Sequence, residues 1–511
     1  MLKPLPLVAT PAAISIRLAR SLSRSRGISM RVQQPVRDRN MSLWQSAVRE
    51  TLVNRGDLSD GDKKQAEYGV SLHALSVQTN EPLALPTPQP QAEGQSPVGS
   101  PSNIAQGSKA AFEAIQAHQN NDSSGHFWLF SMLRDFVMKY SSWDVEGWVQ
   151  CGWYYTKYYV LAHLPPSYND WQAHAPADIN FGVIDYLLPK NNRVLLIGDW
   201  GTHMPDNAAL LRQALKKFNP DVIIHLGDVY YSGTVEECTA NVLDVLDQII
   251  ADVKPPKRPA FFTIPGNHDY YSGGSGFYRT IGKVNSGVAG CTQQASYFCL
   301  RTEDSKWQFL GMDTGYGDRN PVEQQAPSLQ VHEGAWHRDK LDKFPGTTIL
   351  LSHHQLISAK EKLNGGPRTY LNENLYATFK QYFDRIAAWY WGHEHNFILF
   401  QNDLTIQKGD LPLKKGRLVG CSAYEETESE DPYAINNPPA KFMKNMPRLK
   451  LSDFKTDLQS FYNHAFAILD VTPDKITASY YEYPSWGEAK VPPSDPPIDK
   501  YLYQEKLLPM R

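Results

Sequence analysis

The stretches RVLLIGDWG (193–201) and DVIIHLGDVYYSG (221–233) decide the fold. Each opens with a short, unbroken aliphatic run and closes on Gly-Asp. Apolar runs of this length read as strands buried on both faces. RPAFFTIPGNHD (258–269), WQFLGMD (307–313), TTILLSHH (347–354) and AAWYWGHEH (387–395) repeat the pattern. Helical segments at about 207–218 and 235–249 separate the first three. Strands alternating with helices indicate an α/β fold, with sheets covered by helices. The polar residues all follow strand ends, which is where such folds assemble their chemistry.

The α/β domain is expected to span 186–511. Strand-like sequence resumes at 397–408, and a charged, Pro-rich insertion occupies about 423–455. FAILDVTPDKITASYYEYP (466–484) reads as a hairpin that completes a sheet, and the Pro-rich segment 487–511 is expected to cross the surface. Upstream, 109–185 is an aromatic-rich helical region, containing FWLFSMLRDFVMKY (127–140) and WVQCGWYYTKYYVLAHL (148–164), the latter stopped by Pro165 and Pro166. Its aromatic stripe fits packing on the α/β domain or on a partner subunit, so a homo-oligomer formed through these helices is one role for it. An interfacial patch or part of a substrate cleft is another. Residues 1–108 combine an Arg/Ser-rich, acid-free leader, one or two short helices at 42–76, and a Pro/Gln/Ser-rich linker at 77–108, which holds too little apolar surface to fold.

Composition narrows the function classes. Over 511 residues the formal net charge is -3, so no global basic field invites nucleic acid. No run of 18 apolar residues exists, so no transmembrane segment is expected. Five cysteines in no regular framework argue against a disulfide scaffold, although Cys291 and Cys299 lie close enough in sequence to bridge. Cytoplasm is the default location, with organelle targeting by the leader as the alternative.

A lone His or Asp at a strand end is usually a capping group. Here Asp199, Asp228, Asn267 with His268 and Asp269, His353 with His354, and His393 with His395 follow successive strands. Such a set reads as one site for two metal ions. Two neighbouring cations need a bridging ligand that neutralises charge between them; a carboxylate does this, and Asp228 is the natural candidate. Asp199 is a terminal carboxylate, Asn267 a neutral oxygen and His353 a nitrogen ligand. Alternate residues on an extended segment point the same way, so His393 and His395 would serve one ion each. This mixed nitrogen and oxygen set is not that of a structural thiolate zinc site.

The strings GDWG (198–201), GDVYYSG (227–233), GNHD (266–269), SHH (352–354) and GHEH (392–395) resemble the calcineurin-like metallophosphoesterase superfamily. The resemblance implies a four-layer α/β/β/α sandwich, here with a helical N-terminal extension. The chain departs from the superfamily's usual GD-x-H opening, because Gly201 stands where a metal-binding His is common. His203, two residues on, is one candidate substitute. Tyr231, three residues after Asp228, follows the purple acid phosphatase pattern, in which a tyrosinate binds Fe(III). Tyrosine ionises near pH 10 in water, so tyrosinate ligation favours a trivalent ion. By resemblance, Asp199, Asp228, Tyr231 and His395 hold Fe(III), and Asp228, Asn267, His353 and His393 hold Fe(II), Zn(II) or Mn(II). The alternative is two divalent ions, with Tyr231 as a wall residue.

Such a centre implies hydrolysis of a phosphomonoester, small-molecule or protein-bound, with hydroxide held by the cations attacking phosphorus in line. His268 would be general acid or substrate clamp, and Asp269 would orient its ring or serve the backbone. His354 would bind phosphate or brace His353. The second reading is a phosphodiesterase acting on a cyclic nucleotide or other small diester. The third, a non-catalytic scaffold on the same fold, predicts lost ligands.

Overall fold

The computed structural model describes residues 166–168 and 182–510, except 203, 319–325, 362, 364–369, 425, 427, 429–430, 434–441, 444–445, 454–459 and 486–493. The chain divides into two units, Met1–Pro165 with Tyr271–Gly273, and Pro166–Tyr270 with Gly274–Arg511. Only Tyr271–Gly273 of the first unit is described. The expected leader, short helices, linker and aromatic helices of 1–164 lie outside the described residues.

In the second unit the six apolar runs become strands: β1 (Asn192–Ile197), β2 (Val222–His225), β3 (Ala260–Thr263), β5 (Trp307–Gly311), β6 (Thr347–Ser352) and β7 (Ile386–Trp391). They fall into two mixed sheets. One has the order β12-β11-β10-β1-β2-β3, where β10 (His464–Thr472), β11 (Lys475–Tyr483) and β12 (Tyr503–Leu507) come from the C-terminal part. The other has the order β4-β5-β6-β7-β9-β8, with β4 at Phe298–Arg301, β8 at Phe397–Leu399 and β9 at Gly416–Val419. β1, β2 and β3 run parallel in the first sheet, as do β5, β6, β7 and β9 in the second.

Alternation along each strand explains the layering. Val194 and Leu196 of β1 join Ile224, Phe262, Phe309, Ile349 and Tyr390 in a core between the sheets. Leu195 and Ile197 face the other way, against Leu210, Leu211 and Leu215 of helix α1 (Pro205–Phe218) and Leu246 and Ile249 of α2 (Asp244–Val253). On the far side, Leu310, Leu350, Trp389 and Trp391 pack on Trp336 and Leu341 of α4 (Val331–Lys343) and on Leu375 and Phe379 of α5 (Glu373–Phe379). A shorter helix, α3 (Ser275–Ile281), follows β3. The result is two sheets flanked by helices, as the motif resemblance implied.

Local chemistry sets the helix ends. Pro205 starts α1, Asp206 sits in its first turn, Lys216 and Lys217 in its last, and Asn219 closes it in a left-handed conformation. The helix expected at 235–249 is a composite: a turn at Val235–Cys238 capped by Thr234, a wider turn at Thr239–Leu243, then α2. Cys291 and Cys299 are both buried free thiols.

The C-terminal segment departs from expectation. Part of it is β12, the edge strand beside β11. Its alternation is masked because the inward residue Glu505 is charged. That carboxylate accepts from Arg417 Nε at 2.8 Å and Nη2 at 2.7 Å, and from Tyr480 Oη at 2.7 Å. Arg417 lies on β9 and is fully buried, with Nη1 donating to the carbonyls of Phe400 and Gly416. The pair therefore ties an edge strand of one sheet to an inner strand of the other. Removing one partner strands a buried charge, which typically costs about 3–5 kcal/mol. Glu505→Ala is expected to lower the unfolding free energy by that order in urea titration, and Arg417→Met with Glu505→Leu to recover most of it.

Candidate metal centre

The centre forms where the C-terminal strand ends of both sheets meet. Asp199 follows β1, Asp228 follows β2 and Asn267 follows β3; His353 follows β6, and His393 and His395 follow β7. Hydrogen bonds cross between the sheets here. The His393 amide donates to Asp199 Oδ2 at 2.9 Å, and the Ser422 amide to the Gly198 carbonyl at 3.0 Å. Asp199, Asp228 and His393 have φ of 53°, 69° and 72°. The left-handed region costs a non-glycine residue roughly 1–2 kcal/mol, so three ligand candidates are held in conformations that the chain alone disfavours.

One group of donors is rich in nitrogen. His353 Nε2 lies 3.2 Å from Asn267 Oδ1, 3.2 Å from His393 Nδ1 and 3.4 Å from Asp228 Oδ2, and His393 Nδ1 lies 3.0 Å from Asn267 Oδ1. The outer nitrogens carry the protons: His353 Nδ1 donates to the Leu226 carbonyl at 2.9 Å, and His393 Nε2 to Glu361 Oε1 at 3.2 Å. In neutral rings the inner nitrogens are then lone pairs facing a carboxamide oxygen and a carboxylate, an arrangement of acceptors without a donor. Ligands about 2.0–2.2 Å from one ion stand about 3.0–3.5 Å apart in octahedral or tetrahedral arrangement. The observed spacings fit a cation.

The second group is rich in oxygen. Asp199, Asp228 and His395 bring ligand atoms within 4.8 Å of one another. The Tyr230 hydroxyl joins them, donating to Asp199 Oδ1 at 2.9 Å and lying 3.0 Å from His395 Nε2. The tyrosine whose hydroxyl reaches this group is thus Tyr230. At Tyr231 the backbone is engaged: its amide donates to Glu237 Oε1 at 2.8 Å, and its carbonyl accepts from His268 Nδ1 at 2.6 Å. Gly201 explains the departure from the GD-x-H opening. A Cβ there would stand 2.7 Å from the Asp228 carbonyl oxygen and 2.8 Å from Val229 Cα, so this backbone has no room for a His. The neighbouring Tyr230 amide donates to the Gly201 carbonyl at 2.9 Å. His203 lies outside the described residues.

Charge in this pocket is unbalanced. Burial pushes the Asp199 carboxyl up to about 8, against the pull of His353. Burial alone would also raise Asp228, but the imidazoles of His353, His268 and His393 together more than offset it and hold that carboxyl below the usual range. Burial lowers His353, yet Asp228 outweighs it and lifts the imidazole to about 9. A proton on His353 takes up the role a cation would fill.

The remaining expected residues fall around this centre. His268 is buried, its amide donates to Asp228 Oδ1 at 3.1 Å, and its Nε2 is 4.0 Å from Asp228 Oδ2. The Tyr231 carbonyl orients its ring. Asp269 instead accepts from the amides of Gly266 at 2.8 Å and Asp228 at 3.0 Å, the backbone role of the two considered for it. His354 accepts from Thr314 Oγ1 at Nδ1, 2.9 Å, and donates from Nε2 to Asp318 at 3.1 Å. Its ring packs 4.8 Å from that of His353 and 4.3 Å from that of His393.

Sequence reasoning missed several supporting groups. Buried Glu237 accepts from the amides of Tyr231, Ser232 and Thr234, so one carboxylate holds the loop that carries Tyr230 and orients His268. The pattern T-x-x-E at 234–237 is a capping-box signature that could have flagged it. Glu394, between the two histidines of GHEH, bonds to Ser358 and Tyr433. Tyr424 stacks on His395 with centroids 3.6 Å apart. Tyr424 and Tyr433 are described residues of the insertion, and these two side chains back the centre.

Residues 192–397 match the family described as calcineurin-like phosphoesterase. No curated protein matches the chain. Among solved structures the chain is similar to one described as "GAP50 the anchor in the inner membrane complex of Plasmodium", at 16% identity over 62% of this chain and 89% of that one, with a TM-score of 0.37. It is also similar to one described as "Structure of PhoD", at 12% identity over 59% and 67% of the two chains, with a TM-score of 0.37. The chain carries a calcineurin-like metallophosphoesterase domain, whose paired His and Asp donor groups make it a metal-dependent hydrolase of phosphoesters.

Proposed function

We propose that the chain hydrolyses phosphomonoesters, with a trivalent ion, Fe(III), at Asp199, Asp228, Tyr230 and His395, and a divalent ion, Fe(II), Zn(II) or Mn(II), at Asp228, Asn267, His353 and His393. The observation that carries this reading is the Tyr230 hydroxyl, held 2.9 Å from Asp199 Oδ1 and 3.0 Å from His395 Nε2. Two carboxylates and a phenol form a hard, anionic oxygen set that suits a trivalent ion. Two imidazoles and a carboxamide suit a divalent one. Tyr230 thus takes the part first expected of Tyr231. Two cations would lower the pKa of a bound water and offset phosphoryl charge.

The chain's own residues supply the rest. His268 is the candidate proton donor to the leaving oxygen, because its outer nitrogen is committed to Tyr231 while Nε2 faces Asp228. Burial lowers its pKa, a cost the site accepts by keeping the ring against the Asp228 carboxylate, which raises it. Asp269 secures the Asp228 loop. His354 braces the neighbouring imidazoles, since Thr314 and Asp318 engage both of its nitrogens. Among the described residues, no helix is long and apolar enough to cross a membrane.

The first test is an absorption spectrum of aerobically purified protein, with elemental analysis of the same sample. A broad visible band that survives Tyr231→Phe but is lost in Tyr230→Phe is the expected result. A colourless protein holding two divalent ions would discard Fe(III) and place phosphodiesters on an equal footing. The second test addresses His268. His268→Ala is expected to lower kcat about 10²–10⁴-fold on an alkyl phosphate. The loss should be much smaller on 4-nitrophenyl phosphate, whose leaving group needs little protonation. Equal losses on both substrates would argue for a clamp.

A further inference from the structure

We propose that Glu361 is a positioning residue that fixes His393 toward the nitrogen-rich donor group and so sets the affinity of that site for its cation. This rests on the dinuclear reading above. Glu361 lies in the loop after β6, 32 residues from its partner in sequence, and no motif of the centre includes it.

His393 presents Nδ1 to Asn267 Oδ1 at 3.0 Å and to His353 Nε2 at 3.2 Å. That role needs a defined tautomer, with the proton on Nε2, and a defined ring rotation. A carboxylate at Nε2 supplies both, and also raises the basicity of the opposite nitrogen. Glu361 Oε1 is that acceptor, at 3.2 Å. Of the two imidazoles in this donor group, His353 is oriented by the backbone carbonyl of Leu226, whereas His393 is oriented by a side chain. Of these two supports, Glu361 is the one that a substitution can adjust.

The support is itself held. Glu361 Oε2 accepts from Gln355 Nε2 at 3.0 Å, and Gln355 is fully buried directly after His353 and His354. The Glu361 amide donates to Ser358 Oγ at 2.6 Å. Ser358 Oγ in turn bonds to Glu394, the residue between His393 and His395. The loop is thus anchored to both imidazole-bearing segments before its carboxylate reaches His393. At 26% side-chain exposure, Glu361 sits at the edge of the centre, where it can be replaced without opening the core.

The test uses the full chain stripped of metal and titrated with Zn(II) against a competing chelator, as wild type, Glu361→Ala and Glu361→Gln. Thermal unfolding of the stripped proteins checks that each is folded. The expected result is two Zn(II) per wild-type chain, with one of them bound about 10–100-fold more weakly in Glu361→Ala and the other unchanged. Glu361→Gln, which keeps an acceptor but loses the charge, should fall between. Should Glu361→Ala fail to fold, Glu361→Gln alone decides the matter. Two ions in wild type with unaltered affinities in a folded variant overturn this inference and leave the dinuclear reading standing, as does equal weakening of both ions. Fewer than two ions in wild type overturns both.

Discussion

The convergence of acceptors on acceptors is the constraint from which the rest of the centre follows. Asp199 and Asp228 are buried carboxylates; each accepts one backbone amide, from His393 and His268 respectively, and otherwise faces imidazoles and a phenol. Burying an ionised group without a counter-charge is among the costliest steps a fold can take. The imidazoles answer it only in part, because each that is protonated stops being a ligand. His353 shows the conflict directly: Asp228 lifts it to about 9, where it is a cation, while its position beside Asn267 and His393 requires a lone pair. Metal ions resolve both demands at once, which is why this donor set reads as a metal centre and not as a hydrogen-bonded core.

The two-sheet architecture is what brings such donors together. Parallel strands place their C-terminal ends on one side, so stacking two partly parallel sheets makes two rows of loops converge. Neither sheet holds a complete group. The nitrogen-rich set takes Asp228 and Asn267 from one sheet and His353 and His393 from the other. The oxygen-rich set divides in the same way. The turns that present these residues are tight enough to need left-handed backbone at Asp199, Asp228 and His393. A Cβ on Gly266 would collide with Asp228 Oδ1, so the glycine of GNHD makes room for that carboxylate as much as for the turn.

How legible this was in sequence depended on the range of each interaction. The strands and the Asp, Asn and His candidates were legible because each sits in a local string, an apolar run followed by a polar residue beside glycine. The groups that orient them were not. Glu361 reaches His393 across 32 residues and Tyr433 reaches Glu394 across 39. Strand β12 was hidden because its inward Glu505 pairs with Arg417, 88 residues away. Tyr230 and Tyr231 are adjacent, and counting from Asp228 favours Tyr231. The loop's own hydrogen bonds, through Glu237, the Gly201 carbonyl and His268, decide which hydroxyl reaches Asp199. The aromatic helices expected upstream lie outside the described residues.

A centre of this kind is a net burden on the fold until its cations bind. Strained backbone, buried carboxylates and facing lone pairs all oppose folding, and ion binding returns stability only in proportion to the logarithm of concentration over dissociation constant. Stability must therefore be supplied away from the chemistry. The three apolar clusters do this on both faces of both sheets, and the Arg417–Glu505 pair ties β9 to β12 through a fully buried guanidinium. Asn267 follows β3 and His353 follows β6, and Leu356, Ile357 and Leu371 beyond β6 belong to an apolar cluster, so these loops are tied both to the centre and to the core. The turns after β1, β2 and β7 are constrained further, because their left-handed residues Asp199, Asp228 and His393 are themselves ligand candidates.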